Sequence, residues 1–173
     1  MYSRHNNEIS ANFPELTMID LPNGTIVDGE IVVSDENGRP SFEETMERFM
    51  SKKSKHHIQF CVFDIIYLHG KKVSSLPLLE RKALLEDVIP SNHPHIATVK
   101  WMRGHATAYF DLVKQNQLEG FVLKKSDSVY DIGKRSYSWL KVINYQYEDV
   151  YITGIRKDEF GLLLSFQMVN LPA

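Results

Sequence analysis

The sequence predicts an α+β fold in which strands and helices alternate along one domain. Two segments have the pattern of strands: residues 25–34 alternate and are rich in β-branched side chains, and residues 58–68 form a strongly apolar run. Two later segments, residues 78–88 and 104–117, have apolar side chains at helical spacing. A chain of 173 residues can bury one sizeable core, or one domain with a fragment of a second.

Composition narrows the class of protein. Hydrophobic residues make up 43% and charged residues 24%, as in ordinary globular domains. The net charge of -2 does not indicate nucleic-acid binding, although a local basic patch would be sufficient for it. The single cysteine, Cys61, lies in an apolar run and is interpreted as a buried thiol, which fits a reducing compartment. Since no long apolar run or signal-peptide pattern occurs, we expect cytoplasmic localisation and no membrane partner.

Shorter patterns place the remaining elements. Pro14 marks the start of a short helix, and residues 96–101 read as a strand. Ser41, with Glu44 three residues later, predicts a helix that begins with a capping box. Large apolar side chains follow it at helical spacing and are expected in the core: Phe42, Met46, Phe49 and Met50. The inward faces of the two later helices are predicted to be Leu79, Ala83, Leu84 and Val88, and Ala108, Leu112 and Val113.

A basic segment follows the helix that begins after Ser41, and it leaves two interpretations open. Its members are Lys52, Lys53, Lys55, His56 and His57. A solvated loop is the favoured interpretation, and contact with a nucleic-acid backbone is the other. The adjacent histidines have no companion ligands at the spacing of a zinc site.

Residues 118–141 carry the strongest chemical pattern in the chain. Two short apolar runs read as strands, and the first begins with the carboxylate of Glu119. Several cations lie in or between the runs: Lys124, Lys125, Lys134, Arg135 and Lys141. A carboxylate suits magnesium, and several fixed cations suit a polyphosphate, which together describe a site for a nucleotide and its metal. On spacing alone, two surface strands with solvated charges are the favoured interpretation.

Five short motifs in a fixed order resolve this ambiguity. They resemble the successive motifs of the nucleotidyltransferase domain of ATP-dependent DNA ligases: Ser3-Arg4, Asp28-Gly29-Glu30, Phe63-Asp64, Glu119-Gly120 and Trp139-Leu140-Lys141. The sequence between the motifs also resembles that family, for example Phe13-Pro14-Glu15-Leu16 and Leu76-Pro77-Leu78-Leu79-Glu80-Arg81. The resemblance covers nearly the whole chain. It implies the nucleotidyltransferase (ATP-grasp-like) fold, with mixed, largely antiparallel sheets flanked by helices, over residues 1–147.

The resemblance also implies roles for six residues, with ATP and Mg²⁺ as the cofactors. Adenine stacks on Phe63, the nucleotide is supported by Arg4, the metal is organised by Glu30 and Glu119, and the phosphates are contacted by Lys124 and by Lys141, the catalytic lysine of this set. The residues alone leave other interpretations open. Arg4 could belong to a frayed terminus, Glu30 could face outward from its strand, and Phe63 could be a core residue.

The implied reaction joins nicks in double-stranded DNA through lysyl-adenylate and DNA-adenylate intermediates, as in DNA repair and recombination. In the family, the attacking lysine belongs to a Lys-x-Asp-Gly motif that precedes Ser-Arg, and no such tetrapeptide occurs in these 173 residues. The resemblance is therefore to a domain that begins just after its active-site lysine, and we expect the chain alone to be inactive. A non-catalytic nucleotide- or DNA-binding remnant, or a relative of RNA ligases and capping enzymes, is the alternative.

A second departure concerns the last motif. The family often has a second lysine two residues after the first, whereas this chain has Ile143 there. We therefore expect weaker phosphate contacts, or a substitute among the nearby cations: Lys125, Lys134 or Arg135.

Residues 148–173 resemble the first hairpin of the oligonucleotide-binding (OB) barrel that follows the catalytic domain in the family. Residues 150–156 alternate, a polar turn follows, and residues 162–169 are apolar. Such a barrel needs five strands, and an isolated hairpin is marginal in water. We expect the hairpin to pack on its own domain or on a second copy. Unpaired strand edges also predict self-association.

Overall fold

A computed structural model describes residues 1–36, 38–51 and 53–166. The predicted α+β architecture is confirmed in these residues, and the main sheet has five strands in the order β2-β1-β3-β4, with β5 pairing with β3. Its strands are β1 (Ile26–Ser34), β2 (Pro40–Ser41), β3 (Ile58–Leu68), β4 (Lys71–Lys72) and β5 (Ile96–Thr98). Only the β3–β5 pair is parallel, so the sheet is mixed and largely antiparallel.

Two separate hairpins complete the strands of the described residues. One is formed by β6 (Gly120–Lys124) and β7 (Trp139–Ile143), and the other by β8 (Tyr151–Ile155) and β9 (Leu162–Ser165). The helices are α1 (Pro14–Thr17), α2 (Phe42–Met50), α3 (Leu78–Val88) and α4 (Ala106–Gln115). In the main sheet, α2 packs on β1 and α3 on β3, whereas α4 packs on β6. None of these helices is long and apolar enough to cross a bilayer.

Two groups of buried side chains hold the main sheet to its helices. The first joins β3, β5 and α3 and comprises Val62, Ile65, Leu85, Ile89 and Ile96. The second joins the N-terminal segment to β1 and β3 and comprises Phe13, Leu16, Val33 and Ile58. Burial of a side chain of this size contributes roughly 1.5–3 kcal/mol, so both groups help to hold β3 against its neighbouring elements.

The predicted capping box of α2 is confirmed on its serine side, because the Ser41 hydroxyl accepts a hydrogen bond from the Glu44 N–H at 3.2 Å. The predicted core face of α2 is wrong. Phe42 is 78% exposed and Met50 79% exposed, and Met46 and Phe49 are also exposed. Periodicity identified the apolar stripe but could not show what the stripe faces.

The side of α2 that is buried carries Arg48. Its guanidinium donates to the Glu15 carboxylate at 2.7 Å and to the Asn12 carbonyl at 2.9 Å, and it lies over the Phe13 ring. Two hydrogen bonds and a carboxylate partner make burial of this charge tolerable. They also attach α2 to α1.

The predictions located the two later helices correctly but assigned their buried faces only partly correctly. In α3 the buried residues are Leu78, Arg81, Lys82 and Leu85, whereas Ala83 is exposed and Leu79, Leu84 and Val88 are half-buried. In α4 Val113 is buried as predicted, but Ala108 and Leu112 are exposed. The strand predicted for residues 96–101 ends at Thr98, and Cys61 is half-buried rather than buried.

The predicted C-terminal hairpin is present as β8 and β9, although residues 167–169 of its second strand lie outside the described residues. Its large apolar side chains are exposed: Ile152, Ile155, Leu162, Leu163, Leu164 and Phe166. The described part of the hairpin therefore does not bury its apolar side chains against its own domain. Lys52, in the predicted basic segment, also lies outside the described residues.

Candidate nucleotide-binding site

The β6–β7 hairpin presents the candidate site on one of its two faces. The strands are antiparallel, with Val122 opposite Lys141 and Lys124 opposite Trp139. Because alternate side chains of a strand share a face, these four project to the same side. The other side carries Phe121, whose ring meets the Tyr109 ring of α4 edge-on at 5.3 Å. The α4 contact thus fixes which face is available.

Gly120 explains why a glycine follows the carboxylate of Glu119. Its φ is +154°, and its Cα lies so close to the Val142 carbonyl that a Cβ would collide with it. Only glycine fits a backbone of this conformation and proximity. The Glu119 carbonyl then accepts a hydrogen bond from the Asn144 N–H at 2.8 Å, which fixes Glu119 at the start of the hairpin.

Three side chains lie in contact at the opposite end of the hairpin, Phe63, Lys124 and Trp139, and this group is called the aromatic slot below. The Phe63 and Trp139 rings meet edge-on, with centroids 6.4 Å apart. The Lys124 Nζ lies 3.4 Å from the Trp139 ring centroid and 4.7 Å from that of Phe63. A cation at these distances is attracted by the ring faces. Phe63 is therefore only half-buried and lines the slot, rather than filling the core.

Lys124 is electrostatically unusual. Its side chain is 13% exposed, and its Nζ has no hydrogen-bond acceptor among the described residues. The nearest anion is the Asp64 carboxylate, 3.7 Å away. Burial lowers the pKa of Lys124 to about 8, although Asp64 offsets part of that effect. Lys124 thus lies within the aromatic slot, and the phosphate contact that the resemblance implies for it stays a prediction.

A buried ion pair supports the slot from behind. The Arg81 guanidinium donates to both Asp64 carboxylate oxygens, at 2.7 and 3.1 Å, and both side chains are fully buried. Arg81 also donates to the Ser128 carbonyl at 2.8 Å, and Lys82 donates to the Phe63 carbonyl at 2.9 Å. Burial lowers the pKa of Lys82. Through these contacts α3 holds both residues of the Phe63-Asp64 motif and the loop that follows β6.

Tyr130 joins that loop to β1. Its hydroxyl donates to the Asp28 carboxylate at 2.6 Å, and its ring meets the Trp139 ring edge-on at 5.5 Å. Burial, the hydrogen bond and the charge of Asp28 all raise the pKa of Tyr130. The Tyr130 N–H also donates to the Ser74 carbonyl at 2.8 Å. Asp28, the first residue of the Asp-Gly-Glu motif, therefore has a supporting role that the sequence did not reveal.

The polar end of the site is solvent-exposed. The Lys141 Nζ donates to the Glu119 carboxylate at 2.5 Å, and this hydrogen bond raises the pKa of Lys141. The charge of Glu30 adds to that effect. Glu30 lies opposite Cys61 in the β1–β3 ladder. Burial raises the pKa of the Cys61 thiol, and the negative charge of Glu30 raises it further. Glu30, Glu119 and Lys141 therefore share one electrostatic neighbourhood.

These two carboxylates fit only one kind of metal site. No group of three or more His, Cys, Asp or Glu side chains in the described part of the chain could hold a metal ion. Magnesium, however, is usually bound by one or two carboxylates together with substrate phosphates and water. Glu30 and Glu119 match a magnesium ion that arrives with a nucleotide, and they do not match a cage formed by protein ligands alone.

The structure does not bring every candidate to the site. Arg4 is exposed in a turn closed by the Asn6 N–H and the Ser3 carbonyl at 2.9 Å, and its guanidinium forms no hydrogen bond or ion pair with a described residue. Lys125 is exposed and pairs with Asp127 at 3.4 Å. The sequence analysis also missed the role of Arg81, which appeared there only as part of the sequence between the motifs.

The α+β fold and the motif positions define a nucleotidyltransferase domain. Residues 1–142 match the family model described as "ATP dependent DNA ligase domain", and the chain belongs to that family.

Several curated proteins resemble the chain. A Bacillus subtilis protein, "SPbeta prophage-derived DNA ligase-like protein LigB", is 49% identical over 166 residues, which is 96% of this chain and 61% of that protein. DNA ligase 2 of Methanosarcina mazei is 33% identical over 82% of this chain and 28% of its own length. The LigD non-homologous end joining protein of Mycobacterium bovis is 30% identical over 92% of this chain and 21% of its own length. The chain thus spans between about a fifth and three fifths of these relatives.

Two solved structures share the fold. Mycobacterial DNA ligase D complexed with ATP and MES superposes with a TM-score of 0.73 at 28% identity, covering 94% of this chain and 54% of that one. The ligase domain of Mycobacterium tuberculosis LigD gives a TM-score of 0.71 at 27% identity, with the same coverage.

Proposed function

We propose that this chain binds ATP and serves as the nucleotide-binding part of an enzyme that seals nicks in double-stranded DNA through lysyl-adenylate and DNA-adenylate intermediates. The observation that carries the proposal is the shared face of β6 and β7. This face has an aromatic slot with Lys124 and Trp139 at one end and Lys141, paired with Glu119, towards the other. The mycobacterial structure that shares the fold was solved with ATP, which supports the same ligand here.

The hairpin gives the bound nucleotide a direction. Five residue steps separate Glu119 from Lys124, which corresponds to roughly 17 Å along a strand. We place the base on Phe63 at the slot and the phosphates near Lys141. The loop that carries Lys134 and Arg135 leaves the slot end of the hairpin, away from Glu119. Those two cations are therefore poor substitutes for the second lysine that Ile143 replaces, and Lys141 is the principal phosphate contact.

The residues at the polar end have complementary roles in this proposal. The Glu119 carboxylate orients the Lys141 ammonium and keeps it protonated, so that it can stabilise negative charge on the phosphate. Glu30 and Glu119 would hold magnesium jointly with the phosphates, and the ion would supply further charge stabilisation there. The attacking amine is not among these residues. That the 173 residues alone form no covalent adenylate remains a prediction, and a non-catalytic nucleotide-binding module remains the second candidate.

Isothermal titration calorimetry with ATP tests the nucleotide site directly. Phe63→Ala removes the stacking surface, which is worth roughly 1–3 kcal/mol, and we expect ATP affinity to fall roughly 5- to 150-fold. Phe160→Ala is the matched control because Phe160 is 98% exposed in the β8–β9 turn. Equal ATP affinity in the Phe63→Ala variant and the unmodified chain would exclude Phe63 as the base platform. No ATP binding by the unmodified chain would overturn the proposal.

A further inference from the structure

Two polar segments meet beside the outer wall of the aromatic slot. One is β4 with the residues after it, and the other is the loop between β6 and β7. The hydrogen bond from the Tyr130 N–H to the Ser74 carbonyl joins them. Between them lies a cavity of about 170 Å³, which is lined by Lys72, Ser74, Ser75, Val129, Tyr130 and Asp131. Lys134 follows directly, because its N–H donates to the Asp131 carbonyl at 3.3 Å.

The exposed cations of this region have no ion-pair partner among the described residues. Lys72, Lys134 and Arg135 are all exposed, and none forms an ion pair with a residue that the structure describes. Asp131 is the carboxylate that lines the cavity with Lys72, whereas Asp127, earlier in the loop, pairs with Lys125. The chain as a whole carries a net charge of -2, so this is a local excess of positive charge.

We propose that Lys72, Ser75, Lys134 and Arg135 form a basic surface that docks the phosphate backbone of duplex DNA. The inference rests on the proposed function and extends it, because it assigns where the DNA partner lies relative to the nucleotide slot. Phosphate oxygens are commonly contacted by lysine, arginine and serine side chains, and all three types occur here. Cations supplied by two separate segments suit a polymer with regularly spaced charges.

The surface is also placed where a bound backbone would touch the wall of the slot. Tyr130 lines the cavity on one side, and on the other its ring contacts Trp139 while its hydroxyl holds Asp28. The triphosphate of the nucleotide is a less suitable occupant, because we place it near Lys141, towards the other end of the hairpin.

Other exposed lysines provide matched controls. Lys71 precedes Lys72 in β4, and successive side chains of a strand point to opposite faces, so Lys71 is directed away from the cavity side. Lys100, after β5, and Lys157, in the β8–β9 turn, are exposed cations of other segments. Removal of these three lysines changes the net charge by the same amount as removal of Lys72, Lys134 and Arg135.

The test is fluorescence anisotropy of the 173-residue chain with a labelled nicked duplex, titrated at several salt concentrations. Three lost phosphate contacts should reduce the slope of log affinity against log salt concentration by about 2.7. We expect that reduction, and at least a tenfold loss of affinity at low salt, in the variant Lys72→Gln/Lys134→Gln/Arg135→Gln. The control variant Lys71→Gln/Lys100→Gln/Lys157→Gln should stay close to the unmodified chain. Circular dichroism confirms that both variants are folded.

Parallel ATP titrations separate this inference from the proposed function. Lost DNA affinity with unchanged ATP affinity supports the basic surface. Equal losses of DNA affinity in both variants would overturn it, because the effect would then be one of net charge. Lost ATP affinity with retained DNA affinity would assign the cations to the nucleotide instead. If the unmodified chain binds ATP but no duplex at low salt, the docking surface is wrong while the nucleotide site stands.

Discussion

Lys124 combines burial with charge, and its depressed pKa makes the stability of the fold depend on pH. Below about pH 8 the folded protein holds a buried ammonium, whereas the unfolded chain keeps an ordinary lysine. Between about 8 and 10.5 the unfolded chain binds more protons, so stability rises with pH in that window. The full shift corresponds to a penalty on the order of 3 kcal/mol at neutral pH.

Lys124→Met removes this titration and tests it. The free energy of unfolding in urea, measured for the variant and for the unmodified chain at about pH 7 and about pH 10, should show a variant advantage that shrinks by roughly 2–3 kcal/mol as pH rises. The lower value of this range allows for the cation–π attraction between the Lys124 ammonium and the neighbouring rings. That attraction favours the charged lysine in the folded protein and offsets part of the effect of burial. Lys125→Met is the control, because Lys125 is exposed and paired with Asp127. A variant advantage that is independent of pH would contradict the depressed pKa.

Glu119 and Lys141 yield a second prediction at the residue scale. In a version of the protein that also carries a Lys-x-Asp-Gly segment ahead of Ser3, Glu119→Ala and Lys141→Ala should each slow nick sealing about a hundredfold or more. This is the scale expected when one stabiliser of transition-state charge is lost. Lys114→Ala, on the exposed face of α4, should seal at the normal rate. Near-normal sealing by either site variant would remove that residue from the proposed site.

The sequence predicted the site residues unevenly, and the reason is physical. The family resemblance pointed to Phe63, Glu119 and Lys141, because each belongs to a motif that is contiguous in the chain. The partners of those residues are distant in the chain. Asp64 is joined to Arg81 across 17 positions and Tyr130 to Asp28 across 102, and neither pairing leaves a local pattern.

At the scale of elements, α3 shows how a charged residue can hold a helix in place. Arg81 points into the protein and donates to Asp64, Ser128 and Leu76, so that α3, β3 and the loop after β6 share one buried guanidinium. Removal of one partner of a buried ion pair costs roughly 3–5 kcal/mol, because the other charge is left uncompensated. Periodicity counts only apolar positions, and therefore it assigned the inward face of α3 to Ala83 and its neighbours.

Arg81→Met should consequently lower the free energy of unfolding by roughly 3–5 kcal/mol in urea titrations. The control is Lys114→Met, which breaks the exposed pair with Asp111 and should change stability by less than about 1 kcal/mol. If Arg81→Met costs no more than this control, the buried pair does not fix α3 to β3.

The elements that were predicted best are those with two independent signals. Residues 58–68 were correct at both ends, because a long apolar run is bounded by a basic segment and a His-Gly turn. In contrast, α2 was located correctly, but its buried face was not identified. A nine-residue helix with an apolar stripe and a single arginine can pack with either side inward. The ion pair between Arg48 and Glu15 of α1 stabilises the orientation in which Arg48 is buried.

At the scale of the whole molecule, burial is concentrated around the main sheet and is sparse at the C-terminal hairpin. Apart from Val113 of α4, the buried apolar residues of the described chain lie in or beside β1, β3, β5 and the helices that cover them. By contrast, Leu163 is 52% exposed and Phe166 76% exposed in and after β9. A two-stranded hairpin has little stability of its own, so these side chains need a second surface. Because the described residues of its own domain do not cover them, a second copy of the chain is the expected partner.

We therefore predict that the chain self-associates through the β8–β9 hairpin as its concentration rises. Exposed strand edges with apolar side chains recruit further strands, and burial of several such side chains outweighs the entropy lost on association only at high concentration. Sedimentation velocity over a hundredfold range of concentration should show a shift from monomer to larger species. Leu163→Lys and Phe166→Lys should suppress the shift, whereas Tyr137→Lys, at a 99% exposed position in the β6–β7 loop, should not. A single monomeric species at every concentration, with all three variants alike, would show that the exposed hairpin does not drive association.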